Sequence, residues 1–326
     1  MTFLLPIMAF ISGLALLIWS ADRFVHAAAA TALRLGISPL LIGLTVVALG
    51  TSAPEVLVSA SAAWQGSTAM ALGNAQGSNV ANIALILGLV LLLAPVPVPP
   101  GLAGRQALAS LAAIGLLGYT LHDLTLTRLD SALLLLGLVA YLVLTLHQAQ
   151  RDRRLASAAA SAANTEAVQP GPLRKEVLLL LATLLLLLLG ARLLVWGAST
   201  AARELGISEL VIGATIVALG TSLPELATAI SSTLRRHHDM TLGNLLGSNV
   251  FNIFAVIGTA GMIGPDVLES AIWRRDFLFL ALSGLMLVGL IWLYRLQKKN
   301  IHRLWALPLL GLYATYILLN YRALII

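Results

Sequence analysis

Long apolar stretches, separated by short polar or Gly/Pro-rich segments, run along the whole chain. A helix needs about 20 mostly apolar residues to cross a hydrocarbon core of about 30 Å, and the period-two alternation typical of membrane β-barrels is missing. The pattern predicts ten transmembrane helices, over residues 3–30, 37–63, 70–94, 105–121, 129–147, 176–200, 207–234, 241–263, 277–294 and 304–320. We therefore expect an all-α polytopic membrane protein.

The composition excludes a soluble globular enzyme. Of the 326 residues, 59% are hydrophobic and 10% are charged, whereas soluble domains contain about 25% charged residues. The net charge of +6 does not indicate nucleic acid, because most Lys and Arg lie in the short segments between apolar stretches. The chain has no cysteine, so a bound ion would depend on oxygen or nitrogen ligands. The sequence indicates no cofactor, and only the lipid bilayer can be inferred as a surrounding partner.

An internal repeat divides the chain into two similar halves. Residues 36–88 and 206–258 align without a gap and are identical at 27 of 53 positions, which indicates a duplicated unit. We predict a first five-helix repeat over 1–150, an Ala/Ser-rich linker over 151–175 and a second five-helix repeat over 176–326. Because five is odd, the second repeat enters the membrane in the opposite sense, which predicts an inverted-topology repeat of the kind found in secondary transporters.

The distribution of basic residues predicts the orientation. With the N-terminus outside, thirteen Lys and Arg residues fall in cytoplasmic segments and five in external ones. Cytoplasmic loops carry the excess of Lys and Arg. We therefore expect both termini outside and the linker in the cytoplasm.

The motif Gly-Thr-Ser-x-Pro-Glu occurs once in each half, at 50–55 and 220–225, inside apolar stretches. Proline removes a backbone hydrogen bond and clashes with the carbonyl four residues earlier, so each helix should break there. Freed backbone groups in a membrane must be satisfied by protein, water or ions. The carbonyls near Ala48 and Ala218 are therefore candidate ligands. Helical spacing places Thr51 and Ser52, and likewise Thr221 and Ser222, on one face with the following glutamate.

The two glutamates, Glu55 and Glu225, are the strongest functional candidates. A carboxylate in the middle of a membrane costs at least about 2.5 kcal/mol, and neither apolar stretch contains a Lys or Arg near its glutamate. Structural pairing therefore explains them poorly. Carboxylates, hydroxyls and carbonyls are the hard oxygen ligands that Ca²⁺ and Na⁺ prefer.

A second motif, Gly-Asn-x-x-Gly-Ser-Asn-Val-x-Asn, occupies 73–82 and 243–252. Asn74, Ser78 and Asn82 are spaced four residues apart and form a polar stripe on one helix face, which the second half repeats with Asn244, Ser248 and Asn252. We expect Ser78, Asn82, Ser248 and Asn252 to contact ions. For Asn74, Asn79, Asn244 and Asn249, interhelical hydrogen bonding is an equally good explanation, and the glycines are expected to be packing positions.

Other polar residues are weaker candidates. We expect Asp22 and Arg23 to form a pair at the membrane interface. His237 and His238 lie on a predicted loop without the spacing of a zinc site. They are interpreted as solvated residues.

Both motifs, in both halves, resemble the signatures of the cation/Ca²⁺ exchanger superfamily, and the resemblance in span order covers nearly the whole chain. It is closest to prokaryotic Na⁺/Ca²⁺ exchangers, which implies antiport in the inner membrane of a prokaryote. The resemblance implies that Glu55 and Glu225 are central Ca²⁺ ligands, assisted by Thr51 and Thr221. It also implies flanking Na⁺ sites formed by Ser52, Ser78, Ser222, Ser248 and the carbonyls of Ala48 and Ala218.

The sequence differs from some family members at one site position, and three other functions are alternatives. Some members, including K⁺-dependent ones, carry an aspartate where this chain has Asn252. Here Asn82 and Asn252 are both neutral amides, so K⁺ dependence is disfavoured. Coupling to H⁺, or transport of another divalent cation, would use the same ligands, and a channel would conduct without a counter-ion. An intramembrane hydrolase is disfavoured because the predicted helices contain no Ser/His or Asp/Asp pairing.

Overall fold

A computed structural model describes residues 4–98, 102–162, 172–206, 216 and 218–325. The architecture is mostly helical, and each of its four strands is two residues long. The helices, in chain order, are α1 (Leu4–Leu35), α2 (Pro39–Thr51), α3 (Ala53–Trp64), α4 (Thr68–Leu93), α5 (Ala107–Thr120), α6 (Arg128–Ala162), α7 (Leu173–Glu204), α8 (Ala218–Thr221), α9 (Leu223–Leu234), α10 (His238–Ile263), α11 (Ile272–Leu296) and α12 (Ala306–Ile325). The strands are β1 (Val96–Pro97), β2 (Thr125–Leu126), β3 (Asp266–Val267) and β4 (Asn300–Ile301).

Six helices in the described part of the chain are long and apolar enough to cross a membrane, namely α1, α4, α6, α7, α10 and α11. Together, α2 and α3 pass the same test as one bent span, and α5 is a shorter apolar helix. Most of 207–217, the first part of the predicted seventh span, lies outside the described residues. The predicted helical membrane architecture is therefore confirmed at this level.

The region predicted to be a linker is partly helical. Helix α6 continues to Ala162, beyond the predicted end of the fifth span, and α7 begins at Leu173. The intervening residues 163–171 lie outside the described part of the chain. The alanines of this region have high helix propensity, which favours the extension of α6.

The predicted helix break is confirmed in the first half. Helices α2 and α3 meet at an angle of 42°, and Ser52 between them has φ −84° and ψ 3°, outside the helical range. Ser222 has nearly the same backbone angles, φ −88° and ψ 4°, between α8 and α9. In each case proline is the second residue of the following helix, where its missing N–H is tolerated.

The repeat seen in the sequence is also present in the order of elements. The bounds of α3 and α9 differ by 170 residues at both ends, as do those of α4 and α10 and those of β1 and β3. Strand β1 pairs with β4, and β3 pairs with β2, both antiparallel. Each strand pair therefore joins the first half to the second.

Burial separates a central pair of helices from a peripheral one. In the apolar stretches of α4 and α10, 72% and 83% of the residues are buried, against 28% in both α1 and α7. Helices α4 and α10 therefore form the core, while most residues in the apolar stretches of α1 and α7, and of α6 with 22% buried, are at least partly exposed.

Helices α1 and α7 pack on each other through glycine. A Cβ atom on Gly13 would lie 2.5 Å from the Leu194 nitrogen, and one on Gly190 would lie 2.7 Å from the Leu17 nitrogen. The two helices are also joined at one end, where Arg34 of α1 forms an ion pair of 2.8 Å with Glu176 of α7. Small residues that let two backbones approach closely favour tight association in membranes. We therefore regard α1 and α7 as one packed unit.

The predicted pairing of Asp22 with Arg23 is wrong. Asp22 accepts two hydrogen bonds of 2.6 Å from the guanidinium of Arg235, which follows α9. Arg23 instead lies over the ring of Trp19, 5.9 Å from its centroid. The two-pronged guanidinium matches a carboxylate geometrically, so Asp22 connects α1 to the bundle.

The α2–α10 contact also depends on glycine. A Cβ atom on Gly247 would lie 2.7 Å from both the Leu44 carbonyl oxygen and the Ala48 Cβ atom. We expect Gly247→Val to lower the thermal unfolding temperature by several degrees, because overpacking costs about 1–3 kcal/mol. The measurement is thermal unfolding in detergent, with Gly289→Val as the control, since a Cβ on Gly289 meets no described atom within 4 Å. Equal unfolding temperatures for the two variants would contradict this packing.

Candidate ion-binding site

The breaks in the two halves place Glu55 and Glu225 in the first turns of α3 and α9. Their side chains are buried, with 0% and 1% of their surface exposed. The N-terminus of a helix carries partial positive charge, which stabilises a carboxylate in the first turn by about 0.3–1 kcal/mol. Each proline therefore lies in the first turn of a helix whose dipole stabilises the glutamate that follows it.

Each carboxylate has polar neighbours from the opposite half. The Ser52 hydroxyl donates a hydrogen bond of 3.0 Å to Glu225 Oε1, and Thr51 lies near the same carboxylate. Thr221 and Ser78 lie near Glu55, which also interacts electrostatically with Glu225. The two motifs therefore form one site between the halves.

This arrangement corrects one part of the spacing argument. Helical spacing placed Ser52 on the same face as Glu55, but the hydroxyl of Ser52 donates to Glu225. The spacing rule holds for a continuous helix, and the helix breaks at Ser52 itself. The break turns this hydroxyl toward the other repeat.

Oxygen atoms without hydrogen-bond partners are concentrated in this site. Buried polar groups in proteins are nearly always hydrogen-bonded, so a group of exceptions needs an explanation. Among the described residues, eight such buried oxygens belong to predicted ligands: both carboxylate oxygens of Glu55, Oε2 of Glu225, the hydroxyls of Ser78, Ser222 and Ser248, and the side-chain carbonyls of Asn82 and Asn252. They are acceptors available to a cation.

Two predicted ligands already have local hydrogen-bond partners. The Thr51 hydroxyl donates to the Val47 carbonyl at 3.1 Å and approaches Asn244 Oδ1 at 3.4 Å. The Ala48 carbonyl keeps the helical hydrogen bond from the Ser52 N–H, at 3.0 Å. Since donation leaves the hydroxyl lone pairs free and a carbonyl has two lone pairs, both oxygens can still accept a cation. The side chain of Ala218 lies outside the described structure.

Some asparagines of the second motif form hydrogen bonds between helices, and one has no hydrogen-bond partner in the described structure. Asn79 donates to the Asn249 backbone carbonyl, and Asn82 donates to the Asn249 side-chain carbonyl, both at 3.1 Å. Asn252, the repeat counterpart of Asn82, is fully buried, and neither its amide oxygen nor its nitrogen has a partner in the described chain. Asn79 and Asn249 therefore join α4 to α10, whereas Asn252 is free to bind.

The remaining asparagine pair supports neighbouring helices. Asn74 donates to the Ser59 hydroxyl at 3.0 Å, and Asn244 donates to the Thr228 hydroxyl at 3.2 Å. The first bond joins α4 to α3, and the second joins α10 to α9. In each case the second helix carries a glutamate of the site. Their role is positional.

Sequence reasoning missed two features of the core helices α4 and α10. Gln76 is fully buried, and neither of its amide atoms has a hydrogen-bond partner in the described structure. Its counterpart is Leu246, so a search for repeated polar positions passes over it. The second feature is a widened π-helical turn over Ala81–Leu87 and over Asn252–Ile257. Such turns often occur at functional sites.

The charge of the site is limited to two carboxylates. Within the described ranges, no group of three or more His, Cys, Asp or Glu side chains is placed to hold a metal ion. A cation here would therefore depend largely on neutral hydroxyl and amide oxygens. Such a mixed ligand set suits a cation that has to leave again.

The family model described as "Sodium/calcium exchanger protein" matches residues 5–147 and 175–322. CaxA of Alkalimonas amylolytica, whose name as an antiporter is provisional, is 43% identical over 294 residues, which cover 88% of this chain and 90% of CaxA. The sodium/calcium exchanger MaX1 of Methanosarcina acetivorans is 30% identical over 310 residues, covering 85% and 88%. Both matches extend over most of either chain.

A solved structure shares the fold. The sodium-calcium exchanger NCX_Mj, soaked with Na⁺ and Sr²⁺, superposes with a TM-score of 0.82 at 30% identity and covers 97% of this chain and 98% of its own. The motifs, the buried glutamates and these matches agree. The chain belongs to the sodium/calcium exchanger protein family, a family of membrane antiporters and not of enzymes.

Proposed function

We propose that this protein exchanges Na⁺ for Ca²⁺ across the membrane at the site of Glu55 and Glu225. The observation that carries the proposal is the group of buried oxygens without partners around two carboxylates, supplied by both halves of the chain. Carboxylates, hydroxyls and amide carbonyls are ligands for both ions. Family membership and the NCX_Mj likeness support the same ion pair.

The charge of the site explains why transport is exchange. Two carboxylates close together in a low-dielectric interior repel each other. One Ca²⁺ neutralises both, and Na⁺ ions can do so in its place. Because the two ions compete for the same oxygens, and moving the empty charged site across the membrane is unfavourable, each direction of movement requires a bound cation.

The proposed ligand roles come from the resemblance of the two motifs to the family signatures. We assign Ca²⁺ to Glu55 and Glu225 with Thr51 and Thr221. The proposed flanking Na⁺ ligands are Ser52, Ser78, Ser222, Ser248 and the backbone carbonyls of Ala48 and Ala218. Asn82 and Asn252 complete the set as neutral oxygen ligands.

The proposed architecture has ten spans in two inverted five-helix repeats, over 1–150 and 176–326, with a cytoplasmic linker at 151–175. Both termini lie outside, and the membrane is the inner membrane of a prokaryote. The repeated element bounds and the two equivalent strand pairs support the duplication. The excess of basic residues in the predicted cytoplasmic segments supports the orientation.

Alternating access would come from the peripheral unit of α1 and α7. These helices pack tightly on each other and are less buried than α4 and α10. We infer that they slide against the bundle as one unit and open the site to each side in turn.

The test is Ca²⁺ uptake into proteoliposomes loaded with Na⁺. We expect uptake when Na⁺ is diluted outside, and little uptake when Na⁺ is equal on both sides. Uptake driven by a pH gradient and indifferent to Na⁺ would replace Na⁺ by H⁺ as the coupling ion. Uptake that needs no counter-ion would indicate a channel and overturn the proposal.

A further inference from the structure

A basic pocket lies where α11 ends, and it shares no residue with the ion site. Its volume is about 270 Å³. It is lined by Pro97, Val98, Tyr294, Arg295, Lys298, Lys299 and Asn300. Three cationic side chains thus surround one cavity next to the pairing of β1 with β4.

The backbone holds these cations together. The N–H groups of Lys298 and Lys299 bond back to the carbonyls of Arg295 and Tyr294, at 3.2 and 3.0 Å. Lys298 has φ 53°, the left-handed conformation common at the residue that follows a helix C-terminus. This turn caps the C-terminus of α11 and brings Lys298 and Lys299 to the same cavity as Arg295.

The cations have no acidic partner. The segment 295–303 contains four Lys or Arg and no Asp or Glu. Across the described part of the chain, none of the four forms an ion pair, and Arg303 donates to the Leu93 backbone carbonyl at 2.8 Å. The charge of the pocket is therefore available to an external group.

The equivalent strand pair has the opposite charge. Strand β3 precedes α11 and β4 follows it, so the two strand pairs lie at opposite ends of a helix about 37 Å long. The segments around β2 and β3, 121–127 and 264–270, contain Asp123, Asp266 and Glu269 and no Lys or Arg. Hydrogen bonds from the hydroxyl and N–H of Thr125 lower the pKa of Asp123 and keep it anionic. The loops of the two strand pairs therefore differ in the sign of their charge.

The surroundings of the pocket are those of a membrane interface. Trp305 donates a hydrogen bond of 3.0 Å to the Tyr294 hydroxyl, and both rings are of the type found at headgroup level. The same segment exposes large apolar side chains: Leu296 is 83% exposed and Leu304 is 70% exposed. Cations and exposed leucines side by side fit a ligand with an anionic head and apolar tails.

We propose that this pocket binds the phosphate headgroup of an anionic phospholipid, with its acyl chains against the exposed leucines. Basic pockets between membrane helices on the cytoplasmic side are typical sites for such headgroups. The exposed apolar side chains beside the pocket favour a lipid over a free phosphate ion. The site is separate from ion exchange and does not depend on which cations are carried.

Native mass spectrometry of the full-length protein in detergent tests the proposal, with phosphatidylglycerol and phosphatidylcholine as probes. We expect phosphatidylglycerol to bind in preference to phosphatidylcholine. Lys298→Gln/Lys299→Gln should weaken its binding by roughly 25-fold, because each cation near an anionic lipid contributes about fivefold. Lys299→Gln alone, which leaves the left-handed residue unchanged, should lose about fivefold.

The control is Arg174→Gln/Lys175→Gln, which removes the same charge from exposed residues at the start of α7, and it should bind phosphatidylglycerol like the unmodified protein. Equal binding of both lipids, or unchanged binding by both lysine variants, would overturn the proposal. Glycerol phosphate, which has no acyl chains, should not displace the lipid at equal concentration. Complete displacement would identify a site for soluble phosphate and overturn the lipid assignment.

Discussion

Glu55→Gln and Glu225→Gln are each expected to abolish Na⁺-driven Ca²⁺ uptake. Each substitution removes one of the two charges that neutralise the cation and leaves a buried amide in a site built from oxygen acceptors. Each carboxylate and the bound cation form a buried ion pair. Removing one partner of such a pair costs about 3–5 kcal/mol, which corresponds to a loss of cation affinity of roughly a hundredfold or more. The measurement is the initial rate of Ca²⁺ uptake into Na⁺-loaded proteoliposomes.

The matched control is Glu204→Gln at the exposed end of α7. This substitution removes a carboxylate of the same type outside the site and should leave uptake unchanged. Thermal unfolding of all three variants separates loss of transport from loss of folding. Uptake retained by either Glu55→Gln or Glu225→Gln would contradict the assignment of these residues.

The second large effect is expected when α1 is linked covalently to the bundle. The chain has no native cysteine, so Asp22→Cys/Arg235→Cys introduces the only two thiols, at positions whose side chains contact each other. A short reducible bis-methanethiosulfonate cross-linker should reduce Ca²⁺ uptake to background, because α1 could no longer slide past the bundle. Reduction of the cross-link should restore uptake.

A link within the moving unit is the control for that experiment. Arg34 and Glu176 join α1 to α7 through their ion pair, so cross-linked Arg34→Cys/Glu176→Cys should continue to transport. If both cross-linked pairs transport at full rate, α1 does not move against the bundle. If both are blocked, α1 and α7 do not move as one unit.

The local features of the site were predictable from the sequence. Proline in an apolar stretch predicts a broken helix, and a membrane-embedded glutamate directly after the break predicts a buried site. The repeat predicts that each feature occurs twice. Ser52 and Ser222, at the breaks, have matching backbone angles, as these local rules require.

Long-range contacts were not predictable. Asp22 and Arg235 are 213 residues apart, and the sequence alone favours the adjacent Arg23 as the partner. The Ser52 hydroxyl was placed beside Glu55 by helical spacing, but it reaches Glu225 because the break lies at Ser52 itself. Both errors come from applying a local rule where packing between the repeats decides the contact.

The widened turns in α4 and α10 were also missed. Within the turns, 81–87 and 252–257, all residues except one asparagine each are apolar, so the sequence carries little periodicity that could distinguish a π-helical turn from a regular one. Gln76 was missed for a different reason, since its counterpart is Leu246 and the repeat comparison favours positions that are polar in both halves. Positions that are polar in only one of the two repeats are recognised from the structure and not from the repeat comparison.

The most direct test of ion exchange is a simultaneous measurement of Na⁺ and Ca²⁺ in the same proteoliposomes. Vesicles loaded with ²²Na⁺ are diluted into Na⁺-free medium with or without ⁴⁵Ca²⁺. We expect ²²Na⁺ to leave only when external Ca²⁺ is present, and the amount that leaves should rise in fixed proportion to the Ca²⁺ that enters. Rapid ²²Na⁺ loss without external Ca²⁺, or Ca²⁺ entry without ²²Na⁺ loss, would contradict coupled exchange at Glu55 and Glu225.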